Sequence, residues 1–276
     1  MHICDGDVGT MDIFYINLAK QIHRREFVER NFAAVRRPGW GLSRIDAVTA
    51  AAARDMPGRI KDTEKACFQS HLRAVEKAQH AAGHVLIAED DMLLGEGSLP
   101  AVQGALAGIA EDDWDILFTD LIIPNAGPMA NFYMLRQRLA LSGGSQLIDL
   151  GNLNFAGATA YIVNHRTRRK VLQALADGSP LDLPYDLQLR KLIRSKILRG
   201  HVIVPFPTSV SAFADTSQIQ ETNLADAVWT AFRRLTWLER DIDAAMKPLA
   251  IQKAEPGAEA FARLLTAMQS ADYKKK

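Results

Sequence analysis

The sequence predicts an α/β protein: a mostly parallel sheet with helices on both faces, followed by a helical C-terminal extension. Three observations predict it. Apolar, strand-like runs alternate with helix-period segments as far as residue 207; the run at 84–91 is apolar along its length until its closing acids; and the pattern from Leu224 onward is helical. Alternation places crossover helices on both faces of a sheet, and a strand covered on both faces needs no polar alternation. The 276 residues suffice for one large domain with an appendage.

Each element has its own signal. "DIFYINL" (12–18) is a buried strand, and "QIHRREFVERNFAAV" (21–35) an amphipathic helix with a basic start. After the "RRPGWG" turn, "SRIDAVTA" (43–50) is a second strand. In "DTEKACFQSHLRAVEKAQHAAG" (62–83), Ala66, Cys67, Ser70, His71, Ala74, Val75 and Ala78 share a helical face. Asp62 or Thr63 caps its start and Gly83 ends it. "HVLIAEDD" (84–91) is a strand, "LPAVQGALAGIA" (99–110) a helix and "WDILFTDL" (114–121) a strand. Residues 122–157, with "PNAGP" and "LSGGS", are loop-rich and shape a substrate site. "ATAYIVN" (158–164) is a strand, "HRTRRKVLQALADG" (165–178) and "YDLQLRKLIRSK" are helices, and "GHVIVPFP" (200–207) is the last strand.

Composition excludes several classes. A formal net charge of +1 gives no basic face for general nucleic-acid binding. No apolar stretch approaches the roughly 20 residues that span a bilayer. Two cysteines, Cys4 and Cys67, are too few for a disulfide framework and suit a reducing, cytoplasmic setting. The start lacks a secretory signal pattern, and residues 1–11 read as a leader before the first strand.

The chemistry concentrates in "HVLIAEDDMLL". Glu89, Asp90 and Asp91 close an apolar strand, and in a parallel sheet ligands gather at that end. Adjacent carboxylates held from water raise one another's pKa unless a cation lies between them. Alternation along a strand puts Glu89 and Asp91 on one side and Asp90 on the other, a donor set suited to a hard divalent cation. The alternative is a helix cap or three solvated acids. Asp120, at the end of the 114–121 strand, mimics a receiver-domain phospho-acceptor. Only residues 92–113 separate the two strands, too few for the intervening elements of a receiver, so Asp120 is structural or helps position a ligand.

Six segments, in order from about Asp12 to Ile219, resemble glycosyltransferase family 25, which includes lipopolysaccharide β-galactosyltransferases. They are "IFYINLAKQIHRRE", "EKACFQSHLRAVEKA" (Ala66 standing where the family has Gly), "VLIAEDDMLL", "AYIVNHRTRRKVL", "PYDLQL" and "VPFPTSVSAFADTSQI". The resemblance implies a GT-A-type, Rossmann-like fold and a catalytic domain over residues 12–221, with an extension over 222–276. It implies inverting transfer of a sugar, galactose first, from a UDP-sugar donor to a glycan or lipid-linked saccharide acceptor, with Mn²⁺ or Mg²⁺. A catalytically inactive sugar-nucleotide or glycan-binding module of the same fold is the alternative.

The resemblance also implies roles. Asp91 is the principal metal ligand, with Glu89 and Asp90 as further ligands or supports. Asn17, Arg24, Arg25, Ser70, His71 and Asp90 meet the donor; helix-start N–H groups and guanidinium forks suit phosphate. For His71 the alternative is a satisfied core histidine, and for the arginines a solvated helix turn. The base that takes the acceptor proton is Asp186 or, second, Asp182, because "PLDLPYDLQL" offers two acids to the Pro-x-Asp element; a plain helix cap is the alternative for Asp186. In the tail, Val228, Ala231, Phe232, Leu235, Leu238, Ile242 and Met246 form a stripe bordered by Trp229, Trp237, Arg233 and Arg234. Packing on the catalytic domain or homodimerisation is favoured over peripheral contact with the inner membrane face, because the charges of the segment balance.

Overall fold

The structure is a computed structural model that describes residues 10–216 and 224–240, with single positions at 242 and 245. Residues 1–9 of the leader expected at 1–11, and most of the extension beyond residue 240, lie outside the described residues, while Met11 belongs to the first strand rather than to a leader. In chain order the elements are β1 (Met11–Asn17), α1 (Ile22–Val35), β2 (Trp40–Asp46), the short α2 (Ala50–Ala53), α3 (Asp62–Ala78), β3 (Val85–Glu89), β4 (Met92–Leu94) and α4 (Ser98–Ala107). They continue with β5 (Ile116–Phe118), α5 (Ala126–Ser142), β6 (Gln146–Asp149), β7 (Ala160–Val163), α6 (Arg168–Leu175), α7 (Tyr185–Arg194), β8 (Gly200–Val204), β9 (Thr208–Val210) and α8 (Leu224–Thr236).

Seven strands form the central sheet in the order β2-β1-β3-β7-β5-β8-β6, while β4 and β9 pair as a small second sheet. The strands β1, β2, β3, β5 and β8 run one way; β7, between β3 and β5, and the edge strand β6 run the other. The expected mostly parallel α/β sheet is therefore observed.

Side-chain alternation divides the core. Phe14, Ile16, Ile87, Phe118 and Tyr161 point to one face, under α3 and α5 to α8. Ile13, Leu86, Ala88, Leu117 and Ile162 point to the other, under α1 and α4. Burying each large apolar side chain contributes roughly 1.5–3 kcal/mol, so the sheet is clamped from both sides.

Several expected boundaries move, each for a local reason. The second strand begins at Trp40, because Gly39 turns with φ 82° and hands the chain directly to the β1 edge. It ends at Asp46, because the Val48 N–H leaves the ladder for the Ser70 hydroxyl at 2.8 Å. The 62–83 helix stops at Ala78 rather than Gly83. The segment expected to be loop-rich holds α5 and β6. Its Gly127 and Pro128 sit in the first turn of α5, where proline is tolerated, and Gly143 closes the helix with φ 67°. The expected 200–207 strand ends at Val204 as β8, and a further strand, β9, follows it and pairs with β4 beyond the acidic turn.

The tail packs on the rest of the chain. Arg136 of α5 donates to the Trp237 and Leu238 carbonyls, Phe206 N–H to Thr236, and Gly97 N–H to the Glu239 carboxylate. Arg233, Arg234 and Trp237 are buried, the packing outcome rather than a solvent-facing belt. No helix among the described residues is long and apolar enough to cross a membrane.

Candidate functional site

The site forms where β1, β3 and β5 end and β7 begins. The β3 ladder stops at Glu89, and Asp90 and Asp91 occupy the turn into β4. Strand alternation therefore does not govern the last two acids. Asp90 accepts from Asn17 Nδ2 at 2.7 Å and pairs with the Arg24 guanidinium, which also donates to the Phe213 carbonyl at 2.7 Å. Burial raises the Asp90 pKa, and Arg24 and Asn17 oppose the rise.

Asp91 shares Arg24 only at longer range. It is 8% exposed, and its Oδ1 has no hydrogen-bond partner among the described residues. Arg24 lies 3.5 Å from its Oδ2. Burial, and then the charge of Glu89, push Asp91 up to about 7 against the pull of Arg24. A buried carboxylate oxygen without a partner is costly, and Oδ1 of Asp115 and of Asp120 share that condition.

Glu89 behaves oppositely. Burial alone would raise its pKa, but the His71 hydrogen bond, with Arg233 and Arg24, holds it below the ordinary carboxylate range. His71 Nε2 lies 3.3 Å from Glu89 Oε1, and Nδ1 lies 3.1 Å from the Tyr161 hydroxyl. Tyr161 in turn bonds the Tyr185 hydroxyl at 2.7 Å, and the imidazole stacks on Tyr185 at 4.3 Å and 9°. His71 is thus buried and has a partner at each ring nitrogen.

Two cavities meet at this junction. The larger, about 580 Å³, is lined by Asp186, Arg190, Trp229 and Arg233 among others. The smaller, about 460 Å³, is lined by Lys20, Gln21, His23 and Arg24 around the start of α1, Thr49 in the loop after β2 and Ser70 on α3. Cys67, His71, Glu89 and Asp91 line both.

The expected residues divide accordingly. Glu89, Asp91, His71, Ser70, Arg24 and Asp90 reach the cavities. Ser70 does so while donating to the Ala66 carbonyl at 2.7 Å and holding the Val48 N–H, which fixes the loop after β2. Asn17 is buried behind Asp90 and orients it. Arg25 lines neither cavity and lies near the Tyr15–Glu29 pair.

Asp186, in the first turn of α7, lines the larger cavity and accepts from Gly157 N–H at 2.7 Å; the cap position itself is Pro184. Asp182 lies outside both cavities and holds the Arg59 backbone and guanidinium at 3.0 and 3.3 Å.

Arg233 is a site residue that the pattern did not reveal. Its guanidinium donates to the fully buried Asp120 at 2.5 and 2.9 Å and borders the larger cavity. The only sequence signal for it was Asp120 itself, a strand-end acid in need of a cation. Tyr161, Tyr185 and Cys67 were legible only as an apolar strand, a helix start and a helix face.

Two groups of possible metal ligands converge among the described residues: Cys67, His71 and Glu89 here, and His84, Glu111 and His165 at the opposite sheet edge. The three consecutive acids do not converge as a set, because Asp90 turns toward Asn17 and Arg24. No curated protein matches the chain. The family model described as glycosyltransferase family 25 (LPS biosynthesis protein) matches residues 11–188, from β1 into α7, and so takes in Glu89, Asp90, Asp91 and Asp186. The chain belongs to glycosyltransferase family 25.

Proposed function

We propose that this glycosyltransferase moves a sugar, galactose first, from a UDP-sugar to a glycan or lipopolysaccharide hydroxyl, with inversion and with a divalent cation at Asp91 and Glu89. The observation that carries the proposal is the junction of two cavities at Glu89 and Asp91, with a cationic helix start on one side and Asp186 on the other. Asp91 Oδ1, unpartnered, and Glu89, held ionised, form an all-oxygen pair that suits Mn²⁺ or Mg²⁺. The cation supplies charge neutralisation at the leaving diphosphate.

The residues of the chain do the rest. The donor occupies the smaller cavity, where Lys20, Arg24 and the free N–H groups at the start of α1 meet its phosphates. Asn17 and Asp90 hold Arg24 in place and so set the position of the diphosphate. The acceptor enters the larger cavity, with Trp229 as an apolar wall for a sugar ring and Arg190 and Arg233 as donors. Gly157 N–H pins Asp186 Oδ2, and the carboxylate takes the proton of the attacking hydroxyl. Attack from the cavity opposite the leaving group inverts the sugar's configuration.

The test is a panel of UDP-sugars, each assayed for UDP release without acceptor and for binding by calorimetry. One donor that binds and is slowly hydrolysed is the expected result. A donor that binds without turnover even with glycan acceptors supports the inactive binding module instead. Binding by no UDP-sugar overturns the donor assignment.

A further inference from the structure

We propose that Cys67, His71 and Glu89 form a site for a borderline-soft divalent cation, zinc first, distinct in donor chemistry from the oxygen pair of Glu89 and Asp91. One ligand atom from each of the three lies within 4.8 Å of the other two. Cys67 and His71 stand four residues apart on α3 and so share a face, and Glu89 meets them from the end of β3. The 3.3 Å from His71 Nε2 to Glu89 Oε1 is close to the ligand–ligand edge, about 3.3 Å, of a tetrahedron with zinc bonds of about 2.0–2.1 Å. A thiolate, an imidazole and a carboxylate together select zinc over magnesium or manganese.

The surroundings of His71 support the same assignment. A metal-bound imidazole uses one nitrogen for the metal and donates the N–H of the other to an oriented acceptor. Tyr161 provides that acceptor at Nδ1, 3.1 Å away, and passes its own proton toward Tyr185 at 2.7 Å. Nε2 is thereby left facing Glu89 and Cys67. All three residues line both cavities, so a cation can enter and a fourth ligand, water, has room. On binding, the Cys67 thiol releases its proton to solvent and the thiolate becomes the ligand. Glu89 belongs to both donor sets, so, resting on the function proposed above, zinc at this site excludes the working cation and stops transfer.

Cobalt(II) is the probe, added to the metal-free full-length protein with no nucleotide or acceptor present, so the outcome does not depend on the transferase reading. One equivalent is expected to saturate a near-ultraviolet thiolate-to-cobalt charge-transfer band, and zinc to bleach it. Cobalt at the His84 cluster has no thiolate and gives no such band. Cys67→Ser should abolish the band and Cys4→Ser leave it unchanged, while Tyr161→Phe, which removes the oriented acceptor together with its bond to Tyr185, weakens cobalt binding roughly 10- to 100-fold. If Cys67→Ser does not fold, wild-type protein decides: bound cobalt should protect Cys67 from iodoacetamide, as mapped by mass spectrometry. Absence of the band, its loss in Cys4→Ser, or full alkylation of Cys67 in the cobalt-loaded protein overturns the site.

Discussion

Asp91 and Asp115 stand at opposite edges of the same sheet, both shielded from water, and are treated in opposite ways. Asp115 precedes β5 and is fully buried, yet its Oδ2 receives Lys170 Nζ and the Arg199 N–H, each at 2.7 Å. Burial would raise its pKa, but these donors hold it below the ordinary value. Asp91 follows β3, keeps Oδ1 unpartnered and is pushed up to about 7 by burial and by Glu89. At one edge two donors meet the carboxylate directly; at the other the nearest cation, Arg24, stands 3.5 Å off and is shared with Asp90. Burial alone therefore does not separate a structural acid from a functional one. Nor does an unpartnered oxygen, because Oδ1 of Asp115 also lacks a partner among the described residues; the sign of the pKa shift does.

The largest test of this contrast lies at the cavity edge. Asp186→Asn should lower kcat by roughly 10²- to 10⁴-fold while leaving the Kd for the UDP-sugar unchanged by calorimetry; a wild-type kcat would remove Asp186 as the base. Next comes the buried pair that borders the cavity. Arg233→Met strands Asp120 and should cost about 3–5 kcal/mol in chemical denaturation, with much of the loss recovered in the double variant Arg233→Met, Asp120→Asn. Full additivity of the two changes would mean the pair is not coupled.

A smaller effect compares the two acids directly through pH. Asp91 has a folded-state pKa near 7, above the ordinary value of about 3.9. Its folded form holds a proton that the unfolded chain gives up, so this contribution to stability is lost as pH rises from about 4 to about 7. Asn at position 91 should remove that slope, and saturating Mn²⁺ should raise stability at pH 7 by mass action. Asp115 is shifted down, so its contribution is present above the ordinary value and lost on the acid side. Asp115→Asn should cost about 1–3 kcal/mol at pH 7, measured by urea unfolding. A slope of the same sign for both acids would refute the contrast.

The smallest expectation concerns Asp182. Its bonds to Arg59 lie on the surface, so Asp182→Asn should leave the urea-unfolding midpoint and the rate of UDP release at their wild-type values.

Much of this was legible in the sequence where pattern and chemistry agree. The apolar run of β3 needs cover on both faces, so the sheet could be read, and its closing acids marked the end of the sheet at which the two cavities meet. The role of Asp90 could not, because it depends on a turn that breaks strand alternation and on Asn17, 73 residues away. The choice between Asp182 and Asp186 was likewise closed to spacing, since Arg59, on a distant loop, claims the first. Helix α5 was hidden by Gly127 and Pro128, turn residues that also suit a helix's first turn. Arg233 was hidden because a charged residue beside an apolar helical stripe usually faces solvent, and only the fold brings Asp120 to it.

The most direct measurement is UDP release from UDP-galactose, by wild type and by Asp91→Asn, each with Mn²⁺ and with EDTA. Release that requires the metal in the wild type, and falls by at least roughly 100-fold in the variant with the protein still folded by circular dichroism, is the predicted result. Equal rates in Mn²⁺ and EDTA, or wild-type release from Asp91→Asn, would contradict a cation held at the unpartnered oxygen of Asp91.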